Sequence, residues 1–147
     1  MLASYKHHIL TYTALCTVLW AVFASCKRES TVETKYTRLT NTWKLVKLAT
    51  DDNGNNAIES SEIRPVKTGY YAEWRFNDDS SGSETTLVNN LQTVLPFNFR
   101  FTDRDTVYRW GVGYNTIIYR MTDITSVTLQ LQTYTNIGLA RYYFERL

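Results

Sequence analysis

Imidazoles and thiols are scarce in this chain of 147 residues, and both are confined to its amino end. The only histidines are His7 and His8, and the only cysteines are Cys16 and Cys26. From Lys27 onward a histidine-based triad, a cysteine nucleophile and a His/Cys metal site are therefore excluded. A disulfide is excluded as well, so stability there has to come from a hydrophobic core or a closed sheet. Proline occurs only at Pro65 and Pro96, which rules out a proline-rich stalk. Neither sign of charge dominates: the formal net charge is +2. The arginines are dispersed without a continuous stripe, so nothing steers the chain to nucleic acid. No amphipathic helical pattern of useful length is visible beyond the amino end.

The carboxylates that remain are weak candidates for chemistry. Glu59 and Glu62 lie three apart in an irregular stretch, and Asp103 and Asp105 flank Arg104 in a turn. Both pairs read as solvated charge rather than as the acid and base of a glycosidase. Asp51–Asp52–Asn53–Gly54–Asn55 lacks the loop length and the closing glutamate of a calcium loop, and reads as a turn. Gly111–Val112–Gly113 is too short to cradle a phosphate and marks a bend or bulge. No catalytic residue, metal site or cofactor is expected, and the protein is not expected to be an enzyme.

What is present begins with a leader. Met1 to His8 carries Lys6, and Ile9 to Ala24 is an apolar run of 16 residues. That run is shorter than the roughly 20 residues that span a bilayer, and small residues follow it, which is the export pattern. Phe23–Ala24–Ser25–Cys26 resembles a bacterial lipobox, with Phe23 where such motifs usually carry leucine. The resemblance implies cleavage before Cys26 and acylation of its thiol, palmitate being among the chains carried. Residues 1–25 are then a lipoprotein signal peptide and residues 26–40 a lipidated tether. The anchor implies the bacterial outer membrane, facing the periplasm or the surface.

The rest of the chain has strand composition: Trp43, Trp74, Trp110, nine tyrosines from Tyr36 onward, and many threonines. Strands are expected at Thr42–Thr50, Tyr70–Phe76, Ser83–Val88, Leu91–Phe101 with a bend at Pro96, Thr106–Trp110, Asn115–Met121, Ser126–Thr135 and Leu139–Leu147. In the first of these the alternation is imperfect and the inward side is ambiguous. Ala57 to Gly69 is irregular, a long loop or a short helix of the kind that lies over the mouth of a site. About eight strands with short links favour antiparallel hairpins, as a sandwich or a closed barrel. Glu73, Arg75, Arg109 and Arg120 sit in strands. Pointing inward they would be fixed charges or an ion pair, and pointing outward they would be solvated, the commoner case.

Asn41–Thr42–Trp43–Lys44–Leu45 resembles the Gly-x-Trp opening of lipocalins and of lipocalin-like lipoproteins of Bacteroidetes-type bacteria, with Asn41 in place of the glycine. Ala140 to Leu147 resembles the last strand of the same group. The resemblance implies an all-β, eight-stranded antiparallel up-and-down barrel over residues 41–147. It implies that Trp43 closes the barrel base with a basic residue across it, Arg141 first and Arg146 second. It also implies non-catalytic binding of a small hydrophobic or amphipathic ligand. Tyr70, Trp74, Phe97, Phe99 and Phe101 are the candidate lining, the alternative for the three phenylalanines being that they fill the barrel. A filled barrel would make the chain a structural or protein-interaction module. The partners expected are thus a small apolar ligand and a membrane reached through the lipid anchor, with any protein partner unknown.

Overall fold

The computed structural model describes residues 31–111 and 114–147. The leader, the lipobox-like motif with Cys26, and Val112 and Gly113 of the glycine pair lie outside the described residues. The chain runs through helix α1 (Thr31–Leu39), β1 (Thr42–Thr50), a 3₁₀ turn (Ser60–Glu62), β2 (Ile63–Pro65), β3 (Tyr70–Phe76), β4 (Ser81–Val88), β5 (Leu91–Phe101), β6 (Thr106–Gly111), β7 (Tyr114–Ile124), β8 (Thr128–Thr135) and β9 (Gly138–Arg146). From β3 to β9 each strand pairs antiparallel with the next, β1 pairs with β3, and β9 returns to β1. Eight strands therefore close an up-and-down barrel, with edges left only at the mouth. The short β2 pairs with β1 and stands outside that count. With its sheet closed, Thr31–Leu147 is one compact unit with its own core.

Two bulges explain why alternation alone was ambiguous. The register between β1 and β9 shifts between Leu45 and Lys47, leaving Val46 as the extra residue. Trp43 and Leu45 face inward below the bulge, and Leu48 and Thr50 face inward above it, so the phase changes within one strand. β7 does the same between Met121 and Asp123, bringing Ile124 to the core face with Tyr119 and Met121. Pro96 makes no break. β5 runs straight through it opposite Ser83, and pairing with β6 begins only at Asn98, so a missing N–H costs no ladder bond there. Asn89 and Asn90 form a two-residue turn with φ of 51° and 64°, the left-handed pair that hairpin twist favours.

Residues 31–39, expected to be tether, are helical. Val32, Tyr36 and Leu39 recur at spacings of four and three, a single stripe too short to stand out among threonines. Leu39 is fully buried, and the Tyr36 ring stacks against Phe99 with centroids 6.3 Å apart. Tyr36 Oη donates to Asp78 O at 2.9 Å, and Lys35 pairs with Asp105 at 2.7 Å. Both partners lie in hairpins at one end of the barrel, so α1 covers that end. Asn41 ends the helix: its Nδ2 donates to Arg38 O at 2.9 Å. The residue that departs from the glycine of the lipocalin opening is therefore occupied as a cap.

Below the barrel's middle the interior is packed. Trp43, Phe76, Phe97, Phe99, Leu129, Leu131 and Phe144 are buried together, with Phe76 lying 5.0 Å from Phe99 and 5.4 Å from Phe97, both edge-on. Gly82 makes this packing possible. A Cβ there would overlap the Phe97 ring and the Arg75 carbonyl. Gly82→Ala is expected to cost about 1–3 kcal/mol of stability as Phe97 is driven off its rotamer. An unchanged denaturation midpoint would show that the ring gives way freely.

Candidate functional site

Above the packed half the barrel is hollow. It holds a cavity of about 710 Å³ with a largely apolar wall that includes Leu45, Leu48, Val66, Leu95, Ile117 and Trp74. The expected choice between a hollow and a filled barrel resolves into one half of each.

The mouth is split on one side. β1 meets β3 only over Thr42–Lys44, and Tyr70, Tyr71 and Ala72 of β3 pair with β4 alone. β2 takes the vacated place beside Lys47, Leu48 and Ala49, and Val66 N donates to Val46 O at 3.0 Å. Arg64, Pro65, Val66 and Lys67 thereby form the cavity wall in the gap. The irregular segment ahead of them is held by carboxylates. Asp51 accepts from the Asn55 and Asn56 amides at 3.1 and 2.7 Å, and Glu62 accepts from those of Asp52 and Glu59, both at 2.9 Å. These are backbone locks, so Asp51 and Glu62 are committed to structure. Among the described residues no three of His, Cys, Asp and Glu gather as a metal site.

One charge pair enters the cavity. Arg109 on β6 is ion-paired with Glu84 on β4, reaching across the intervening β5. Its guanidinium lies 4.4 Å from the Trp74 ring centre and 4.3 Å from that of Phe97. Two aromatic faces and a carboxylate together stabilise a cation that is only 4% exposed. Glu84, at 21%, is the more accessible partner. Arg75 and Arg120 are exposed on the outer face, and Glu73 accepts from the Tyr71 hydroxyl at 2.5 Å.

Three tyrosines share the cavity wall: Tyr70, Tyr119 and Tyr142. Burial pushes the Tyr119 phenol up well beyond its usual range, against the pull of Arg109. Burial and then the Glu84 charge push Tyr142 and Tyr70 up. On the outer face, the hydrogen bond to Glu73 pushes Tyr71 up to about 12. The unfolded chain loses these protons near its ordinary value of 10.0, while the fold still holds them. Stability should thus be fully present below that pH and be lost as pH rises through the folded values. A tyrosinate absorbance titration should show a late-titrating class that merges with the rest on unfolding. Uniform titration in the folded protein would contradict this.

The residues marked from the sequence separate into three groups. Trp74 and Tyr70 line the cavity, Trp74 deep and Tyr70 at the rim. Phe97 and Phe99 belong to the packed half, with Phe101 partly buried against it. Trp43 is fully buried at the covered end, where its Nε1 donates to Leu39 O at 2.9 Å. Arg141 stands opposite Ala49 and Gln132, donating to Gln132 Oε1 at 2.7 and 3.1 Å. It lies on the face of β9 opposite to Tyr142 and Phe144. Arg146 is the residue directly across from Trp43, and it donates to Ser126 O at 3.4 Å.

No family model matches the chain, and no curated protein matches it. Solved structures do. A lipocalin-like protein from Bacteroides uniformis superposes with a TM-score of 0.56 at 13% identity, covering 75% of this chain and 99% of that one. A deswapped triple mutant of bovine odorant binding protein gives 0.43 at 11% identity, covering 75% and 74%. The bovine odorant binding protein in complex with a selenium-containing odorant gives 0.45 at 13%, covering 76% and 72%. With nearly all of the Bacteroides protein matched and eight strands closed in order, the fold of this chain is lipocalin-like.

Proposed function

We propose that this chain is an envelope lipoprotein, acylated at Cys26 and held at the bacterial outer membrane, whose barrel binds a small hydrophobic or amphipathic molecule without transforming it. The cavity carries the reading. Its volume of about 710 Å³ lies within the roughly 300–1,000 Å³ of small-molecule sites, and it has the usual apolar wall with few polar groups. Native mass spectrometry of residues 27–147 exposed to envelope extract should show a defined added mass that is released on denaturation. Clean apoprotein across several extracts would count against a ligand. For the anchor, Cys26→Ser should abolish acylation and retention on bilayers, and retention of the variant would refute it.

A second reading, docking of a protein partner, is favoured by one observation. Val88, Leu91 and Val94 are all exposed on the β4–β5 hairpin, an apolar projection beside the mouth. Apoprotein in every extract would shift weight to that hairpin.

A further inference from the structure

We propose that the cavity selects an apolar molecule with a hydroxyl head, and that the Glu84–Arg109 pair is the group that reads it. This rests on the reading of the barrel as a ligand cup. The two partners are unequally placed. Arg109 is packed between Trp74 and Phe97 with 4% of its side chain exposed, against 21% for Glu84. Both line the cavity, and a ligand descending it meets the carboxylate as the more accessible partner, with the cation packed behind it.

That arrangement discriminates among head groups. A carboxylate head must bring a second negative charge to Glu84 inside an apolar wall, where water screens little. An ammonium head is attracted to Glu84 but repelled by Arg109 behind it, and it loses its hydration on entry. A hydroxyl carries no charge to desolvate. It donates one hydrogen bond to a Glu84 oxygen and accepts another from a phenol. Tyr70 and Tyr142 line the same cavity as Glu84. Both stay protonated, since burial and the Glu84 charge disfavour their phenolates. The other cations of the wall, Arg64 and Lys67, are exposed at the rim, and Arg64 is paired with Asp52. In solvent they hold a carboxylate head only weakly.

The test uses residues 27–147, which contain α1 and the whole barrel. N-phenyl-1-naphthylamine, whose fluorescence rises in apolar sites, is displaced by dodecanol, dodecanoate or dodecylammonium, which share one chain length. Dodecanol is expected to compete at about tenfold lower concentration than either charged analogue, as one lost or repelled contact would give. Glu84→Gln should bring dodecanoate to within about twofold of dodecanol, because the repelling charge is gone while the acceptor remains. The ranking on the parent protein decides the matter even if that variant folds poorly. Dodecanoate competing as well as dodecanol on the parent overturns the assignment and leaves the ligand cup standing. Failure of the fluorophore and every competitor to bind removes the cup, and the assignment with it.

Discussion

Replacing Arg109 with alanine is expected to lower the free energy of unfolding by about 3–5 kcal/mol. Much of a marginal domain's stability would be gone, since the whole is only about 5–15 kcal/mol. Two losses combine. Glu84 would be left as a lone charge on an apolar wall, and the gap between Trp74 and Phe97 would lose the guanidinium that both rings face. The comparison that reverses both losses is the double replacement Arg109→Met with Glu84→Leu. It removes both charges and refills the space, so it is expected to stay within about 2 kcal/mol of the parent. Urea midpoints for the parent, the single variant and the double variant decide it. A single variant no less stable than the double would mean that the pair contributes nothing beyond its volume.

Trp43→Ala is the second large effect, at about 3–5 kcal/mol. The ring is fully buried, and its Nε1 holds the last carbonyl of α1, Leu39 O, at 2.9 Å. The loss should therefore spread from the cavity it leaves to the helix. In the variant Leu39 loses its partner, and limited proteolysis should cut within Thr31–Leu39 well before the barrel. Trp43→Phe separates the terms: it keeps most of the ring and loses the hydrogen bond, at about 1–2 kcal/mol. If the alanine variant resists protease in α1 as well as the parent does, the helix is not held by the tryptophan.

The strands were legible because their turns are written in asparagine, aspartate and glycine, at positions such as Asn89–Asn90 and Asn136–Ile137–Gly138, where the backbone needs what those residues allow. The eight-strand barrel followed from short links and the Trp43 opening. Three things were not legible. Helix α1 has one short stripe, and its stability comes from Trp43 just past its end and from Phe99 far along the chain, rather than from its own propensity. The bulge at Val46 reverses the strand's phase, and no local residue type announces it. The Glu84–Arg109 pair joins strands that are not neighbours in the sheet, 25 residues apart, so no pairing rule on adjacent strands finds it. Of the candidate lining, Tyr70 reaches the cavity at the mouth end of β3, and Trp74, one inward step above Phe76, reaches it from the floor. Phe97 and Phe99 share the inward face but sit too low. Alternation gives the face of a sheet, whereas height in a barrel depends on register, which a single chain does not display.

The split between β1 and β3 bears on how a guest would come and go. The segment that fills it is fastened to β1 at Lys47, Leu48 and Ala49 and by the Val66 amide, while the eight-strand ring closes without it. Unfastening that panel would expose the cavity sideways while the ring keeps its pairings, a local opening distinct from global unfolding. Residence time would then be governed by the hinge of a side door rather than by the strength of the vessel. Evolution could make the guest leave faster or slower by altering Ile63, which pairs with Ala49 outside the cavity wall, leaving the Glu84–Arg109 pair untouched.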